Sequence, residues 1–276
     1  YSVNLNKVQT DDARNYNLND YLNGTAVVSG QPISTFYSYK FLGLNPQNGA
    51  PMFDDWEDRW HLLQGKTLDE VVPMILVNSG TRDPKFSGDL NNTFTYKNWS
   101  LSLNFSYSLG SKVRLFEMYG PIINGISAAA NVREEFLDRW QVPGDEKYTV
   151  YPLIISPSSP DYEHYRLHYS APQRAVGPNS GVPAFANNVW QMYDDSDLRV
   201  VSGNYLKLQS LSFSYRLNDR LLRKTPFTQL SISFNTHNCF TISAKELRGQ
   251  DPSQAGFADA GLSIRPSYTI GLNVSF

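Results

Sequence analysis

The sequence is poor in cysteine. Cys239 is the only one in 276 residues, which excludes an internal disulfide framework and a multi-cysteine zinc site. An excess of either charge is also missing: 24 Lys and Arg against 26 Asp and Glu leave a net −2, so no nucleic-acid partner bound by phosphate neutralisation is expected. No long apolar run is present. The longest obvious one, Val71 to Val77, is interrupted by Pro73 and falls far short of the ~20 residues of a membrane-spanning helix. That excludes a helical span only, because a β-barrel wall alternates apolar and polar residues and averages to the modest mean hydropathy of −0.41 found here.

Catalytic fingerprints are missing as well, with no nucleophile elbow, P-loop or dinucleotide-binding glycine pattern. Glu134 and Glu135 fall on a helix predicted over 128–140, where adjacent carboxylates point to different faces and make no glycosidase pair. His164 and His168 stand four apart beside Glu163, but Pro157, Pro160 and Pro172 make that stretch an irregular loop and no third ligand follows. Asp194, Asp195 and Asp197 lack the Gly and terminal Glu of an EF-hand loop and are expected to form a solvated acidic turn. No catalytic residue, metal ligand or cofactor is assigned, and the chain is not expected to be an enzyme.

What is abundant is alternation. Tyr1, Val3 and Leu5 alternate with Ser2, Asn4 and Asn6, so the chain starts as a strand rather than as the basic-then-apolar pattern of a leader. Leu90, Phe94 and Tyr96 share a face within residues 85–96. Trp99, Leu101, Leu103, Phe105, Tyr107 and Leu109 alternate with Ser and Asn. The same holds for Leu211, Phe213, Tyr215 and Leu217, for Leu230, Ile232 and Phe234, and for Tyr268, Ile270, Leu272, Val274 and Phe276. One apolar face and one face of Ser, Thr and Asn suit a barrel wall and also a soluble antiparallel sandwich. Aromatics near the strand ends favour the wall.

The connections sharpen the choice. Lys97-Asn98 and residues 218–226 are short, whereas 10–84, 113–203 and 244–262 are long, and long and short alternate strictly. Outer-membrane barrels have this asymmetry, with short periplasmic turns and long extracellular loops. The run Ile33 to Leu44, the turn Asn45 to Gly49 and Ala50 to Phe53 are predicted to form a hairpin projecting from the first external segment. Six wall strands remain, fewer than the eight of the smallest barrels, so the sequence is expected to be the C-terminal part of a larger one.

With these elements placed, the chain resembles the C-terminal barrel region of the SusC/RagA family of TonB-linked outer-membrane proteins of Bacteroidetes. Gly30 to Tyr37 followed by Gly43 to Gly49 is similar to the family's external hairpin, and Arg82 to Gly88 leading to Phe94–Leu101 to its two-strand unit. Asp138-Arg-Trp-Gln-Val-Pro-Gly-Asp145 resembles the "RW…PGD" loop, and Asn204 to Tyr215 the "YLRLKNLSLGY" strand. Gly249-Gln-Asp-Pro252 and the closing Gly271 to Phe276 follow in order. The resemblance implies an all-β, transmembrane antiparallel β-barrel of about 22 strands, of which residues 1–276 supply about six, with long extracellular loops and a short loop helix. It also implies a location in the cell outer membrane, contact with its lipid, and uptake of oligosaccharides or peptides with a SusD-like surface lipoprotein. The plug and the TonB contact are implied to lie N-terminal to this sequence. Gly271, Val274 and Phe276 are similar to the terminal signal read by the barrel-assembly machinery.

Ligand or partner contacts are expected in the external loops, where Trp56, Trp60, Trp140, Trp190 and Tyr193 supply flat rings, although the same rings also suit packing of the loops on one another. Two other readings stand beside the importer. One is a TonB-dependent receptor for a siderophore or vitamin, the other a soluble, secreted β-rich glycan-binding module.

Overall fold

The alternating segments form one antiparallel sheet, and the long segments between them fold together at one end of it. The computed structural model describes residues 1–10, 15–54, 57–63, 65–122, 132–154, 162, 189–254 and 265–276. Along the chain run β1 (Ser2–Val3), α1 (Leu18–Leu22), β2 (Thr35–Tyr39), β3 (Phe41–Leu44), β4 (Pro51–Phe53), α2 (Leu68–Ile75), β5 (Leu76–Thr81), β6 (Phe86–Tyr96) and β7 (Trp99–Leu109). There follow β8 (Lys112–Arg114), α3 (Val189–Asp194), β9 (Val200–Ser202), β10 (Tyr205–Arg216), α4 (Asp219–Leu222), β11 (Gln229–Ser243) and β12 (Ser267–Ser275).

Six of the strands make the wall, in the spatial order β1-β6-β7-β10-β11-β12. These are the six segments that alternation picked out. Among the described residues the sheet does not close, and β1 and β12 are its edges. β6 and β7 have 11 residues each and β12 has 9, which matches the ~9–11 residues a tilted strand needs to cross a bilayer core.

Register puts the apolar residues on one face. Leu90 lies opposite Phe105, Phe94 opposite Leu101, and Ile270 opposite Phe234. This face is uncovered: Phe94 is 59% exposed and Ile270 79%. An uncovered apolar face shared by several strands marks a surface that meets lipid or another protein rather than water. On the other face small polar side chains bond one another, with Thr93 and Ser102 hydroxyls 3.0 Å apart, Ser212 donating to Asn235 at 2.6 Å and Gln209 donating to Ser106 at 2.8 Å.

One irregularity keeps the faces in phase. Leu208 pairs with Phe105 and Leu211 with Leu103, a spacing of three that period-2 alternation would put on opposite faces. A bulge between Leu208 and Ser210 absorbs the extra residue. At the short-turn end, Lys97 takes a positive φ of 55°, while Asn98 exchanges hydrogen bonds with Arg216, accepting at 2.9 Å and donating at 2.8 Å. Trp99 stacks on Phe213 at 5.1 Å beside Tyr215, and Phe227 meets Phe276 edge-on at 5.3 Å. These rings form an aromatic belt at that rim.

At the opposite end the long segments build a separate hydrophobic core. Tyr21, Leu22, Tyr37, Tyr39, Phe53, Val71, Val72, Met118, Tyr119, Phe136, Trp190, Met192 and Tyr193 are buried together. Capping boxes start both helices of the first segment: Asn17 with Asp20 for α1, and Thr67 with Glu70 for α2. Pro73 sits within α2, so the apolar run around it is a buried helix leading into β5.

Several expectations need correcting. The run Ile33 to Leu44 is not one strand. It breaks at Lys40, β2 pairing with β5 and β3 with β4, so only its second half forms the projecting hairpin. The helix predicted over 128–140 is a short 3-10 turn, Glu134–Asp138, because burial of Phe136 and of Glu135, paired with Arg133, outweighs helical propensity; residues 128–131 lie outside the described ones. The N-terminal strand has only two paired residues before the chain turns aside to exchange hydrogen bonds between Val8 and residues 30–31. The acidic turn at 194–197 is not a solvated one, for reasons that define the site below.

Candidate functional site

The end of α3 and the residues after it tie the long segments together. Asp194 is 4% exposed and accepts from three consecutive backbone amides, those of Met118, Tyr119 and Gly120, each at 2.9 Å. Burial pushes its carboxyl pKa up, opposed by the Arg199 charge and by those three amides. Asp197 turns to the first segment, accepting from the Phe41 amide at 3.0 Å and from Lys40 Nζ at 2.8 Å. Asp195 lies 3.8 Å from Arg114 Nε. Burial raises its carboxyl pKa to about 6 despite that cation.

Arg114, on β8, completes the junction. Its Nη2 donates to the carbonyls of Leu22 (3.1 Å) and Tyr37 (2.9 Å) and to the Ser38 hydroxyl at 3.1 Å. A guanidinium carries five donors in a rigid fork, which suits it to satisfy several carbonyls at once where three chain segments meet. Rings continue the junction: Tyr193 meets Phe41 at 5.6 Å and Tyr119 at 5.4 Å, both edge-to-face.

The third long segment joins through Gln250-Asp251. Gln250 accepts from the Phe116 amide at 2.9 Å and donates to the Arg114 carbonyl at 3.1 Å. Asp251 pairs at 2.9 Å with Lys207, a lysine only 3% exposed on the wall. The Gly249–Pro252 motif is thus a fastening of loop to wall.

The loop motif 138–145 is a self-contained turn. Asp145 accepts from the amides of Gln141 and Val142, both at 3.0 Å, and Gly144 takes φ 109°. Trp140 lies flat on Gly49, where an added Cβ would fall 2.4 Å from the ring. The second segment therefore packs on the turn of the first one's hairpin.

The rings expected as contacts are distributed unevenly. Trp140, Trp190 and Tyr193 are buried at 3%, 4% and 0% exposure, inside the loop layer and not on its surface. Trp190 donates to the Leu153 carbonyl at 3.1 Å. Trp60 falls in the 3-10 turn Glu57–Leu62, and Trp56 lies outside the described residues, as do His164 and His168. In the closing strand, Gly271 pairs with Ser233 and would bring a Cβ within 2.7 Å of its hydroxyl, while Val274 pairs with Leu230 and Phe276 is 85% exposed. Sequence reasoning missed Arg114 and Arg199, and had Gln250 only as part of the Gly249–Pro252 motif. The available signal was an acidic run followed within five residues by an arginine between apolar neighbours.

Comparison with known proteins fits this geometry. No protein-family model matches the chain. A curated relative, TonB-dependent receptor P3 of Formosa agariphila, is 23% identical over 269 residues, covering 90% of this chain and 22% of that protein. The chain therefore spans about a fifth of the relative's length. Among solved structures, the RagAB peptide transporter matches 91% of this chain and 24% of its own at a TM-score of 0.55 and 15% identity. The RagAB peptide importer in its closed-closed state matches the same shares at 0.51 and 14%. The chain resembles TonB-dependent receptors of the SusC/RagA type. Its fold is theirs, mostly β with a large antiparallel sheet.

Proposed function

We propose that these residues form the C-terminal part of the barrel of a SusC-type, TonB-dependent importer. The observation that carries this reading is the wall itself: a six-stranded sheet, apolar and uncovered on one face and polar on the other, beside a separate core built by described residues of the long segments. Open edges at β1 and β12 leave backbone donors and acceptors unpaired, which lipid does not tolerate, so further strands are needed to close a barrel of about 22 strands. Plug and TonB contact belong, on this reading, to sequence preceding Tyr1. A SusD-like surface lipoprotein covers the loop layer, and the barrel-assembly machinery reads Gly271, Val274 and Phe276.

The imported class is oligosaccharide or peptide. Of the rings expected to meet ligand or partner, Trp56 and Trp60 remain the candidates for direct contact, while Trp140, Trp190 and Tyr193 act by holding the loops in shape. Uptake calls on no catalytic residue of this chain. The exposed apolar wall weighs against the soluble glycan-binding module, because such a face in water would drive association.

Deleting the gene in its native host tests the reading. Loss of growth on an oligosaccharide or peptide mixture, with the protein recovered only in detergent-extracted outer membrane, is expected. Recovery as a stable, detergent-free monomer would overturn it, and loss of siderophore or vitamin uptake instead would move it to the other receptor class.

A further inference from the structure

A cavity of about 310 Å³ opens between the second and third long segments. It borders the junction and shares Tyr193 with it. Its lining carries Arg199, Lys245 and Arg248 with a single carboxylate, Glu246, and the rings of Tyr151 and Tyr193. Lys245, Glu246 and Arg248 are exposed and form the rim, whereas Arg199 and Tyr193 close the inner end at 2% and 0% exposure.

At the inner end Arg199 Nη2 donates to the Phe116 carbonyl at 2.6 Å and its guanidinium lies over the Tyr193 ring at 5.8 Å, so the groups open to a ligand are those of the rim. The neighbouring carboxylates are already engaged. Asp194 accepts three amides and Glu135 is paired with Arg133 at 2.5 Å. At the rim, Arg248 lies over the Tyr151 ring at 5.6 Å and reaches Asp138 at 3.6 Å.

We propose that this cavity binds a carboxylate-bearing ligand, its anion held by Lys245 and Arg248 with Arg199 behind them, and its apolar or ring portion against Tyr151. Arginine forks match carboxylate geometry, and an aromatic face accepts either a sugar ring or a side chain. The carboxylate has two natural sources among short ligands, the C-terminus of a peptide or a uronic acid. The inference does not depend on transport, since binding is read without an energised membrane.

The test is calorimetric titration of the purified protein in detergent with four probes: a short peptide as free acid and as amide, and glucuronic acid and glucose. One free acid is expected to saturate and to bind at least about tenfold more tightly than its neutral counterpart, a ratio typical of a lost charge-assisted contact. Which acid does so identifies the source. The double variant Lys245→Gln, Arg248→Gln changes only exposed residues and is expected to weaken binding about tenfold and flatten its salt dependence. Equal binding of acid and neutral probes, no saturation by either acid, or unchanged affinity in the double variant would overturn the proposal. None of these results depends on uptake, so failure here and failure of the importer reading are separate outcomes.

Discussion

Large apolar side chains face opposite ways in the two halves of this molecule. On the wall, Phe94, Tyr96, Ile270 and Leu272 are 59%, 69%, 79% and 64% exposed, while in the loop layer Tyr39, Tyr119, Tyr193 and Trp190 are all below 5%. The wall is inside out, with Ser106 and Ser108 buried on its polar face. The loop layer has the ordinary arrangement, with its large apolar side chains buried in a common core. The two therefore draw stability from different sources. The wall depends on a lipid solvent and on its strand ladder, whereas the loop layer depends on apolar burial and on the charged junction around Asp194 and Arg114. Each half should fail under a perturbation the other ignores.

The largest expected effect is in the loop layer. Asp194→Ala leaves the amides of Met118, Tyr119 and Gly120 without an acceptor in a dry site and removes a carboxylate facing Arg199. Breaking such a buried, charge-assisted cluster costs about 3–5 kcal/mol. Hydrogen exchange should show residues 115–122 opening while β6 and β7 keep their protection. Equal loss of protection in the wall would mean that the two halves fold as one unit and that the contrast is wrong.

Next in size is a change at mid-wall. Leu90 lies near the centre of β6 on the apolar face, 55% exposed. In a bilayer, Leu90→Arg should cost about 2–4 kcal/mol, as lipid-facing arginines do near the membrane midplane. Thr93→Arg, three residues on and on the polar face, should cost under about 1 kcal/mol. Folding yield into lipid vesicles, read by heat-modifiable gel mobility, separates the two. If both are tolerated alike, the apolar face does not meet lipid.

How much of this was legible in the sequence follows the same division. All six wall strands stand out as period-2 alternation, because a two-solvent surface imposes its pattern on every residue. Even the bulge left a trace, in the spacing of three from Leu208 to Leu211. The loop layer had no such periodicity. Its strands are short, β2 is buried along its whole length and pairs with β5 across about 40 residues of sequence while β3 pairs locally with β4, so Ile33 to Leu44 read as one strand where there are two. The acidic run 194–197 looked solvated because its partners, the amides at 118–120 and Arg114, lie about 75 to 80 residues away in sequence. Only tertiary structure brings them together. For the same reason the aromatic rings were legible as important but not as buried: Trp140 finds its contact on Gly49, in another segment.

The smallest expected effect concerns acidity, and it acts on the loop layer alone. Asp195 has a folded-state pKa of about 6, raised by burial, against the ~3.9 of an unfolded aspartate. The folded state therefore holds its proton more tightly. Stability from this group is fully present below the unfolded value and is lost as pH rises through about 6. Since 29% of the Asp195 side chain still reaches solvent, the effect is modest, and Arg114 recovers part of it by pairing with the charged form. The loop layer should resist limited proteolysis better near pH 5 than near pH 7.5, with cleavage in the wall unchanged across the same range. Asp195→Asn should remove the dependence while leaving proteolysis at pH 5 close to that of the parent, because the amide imitates the protonated carboxyl. A pH effect that persists in this variant would assign the titration to another group, with the buried Asp194 next in line. A pH effect that spread into β10 and β11 would show that the Lys207–Asp251 fastening carries strain from loop to wall.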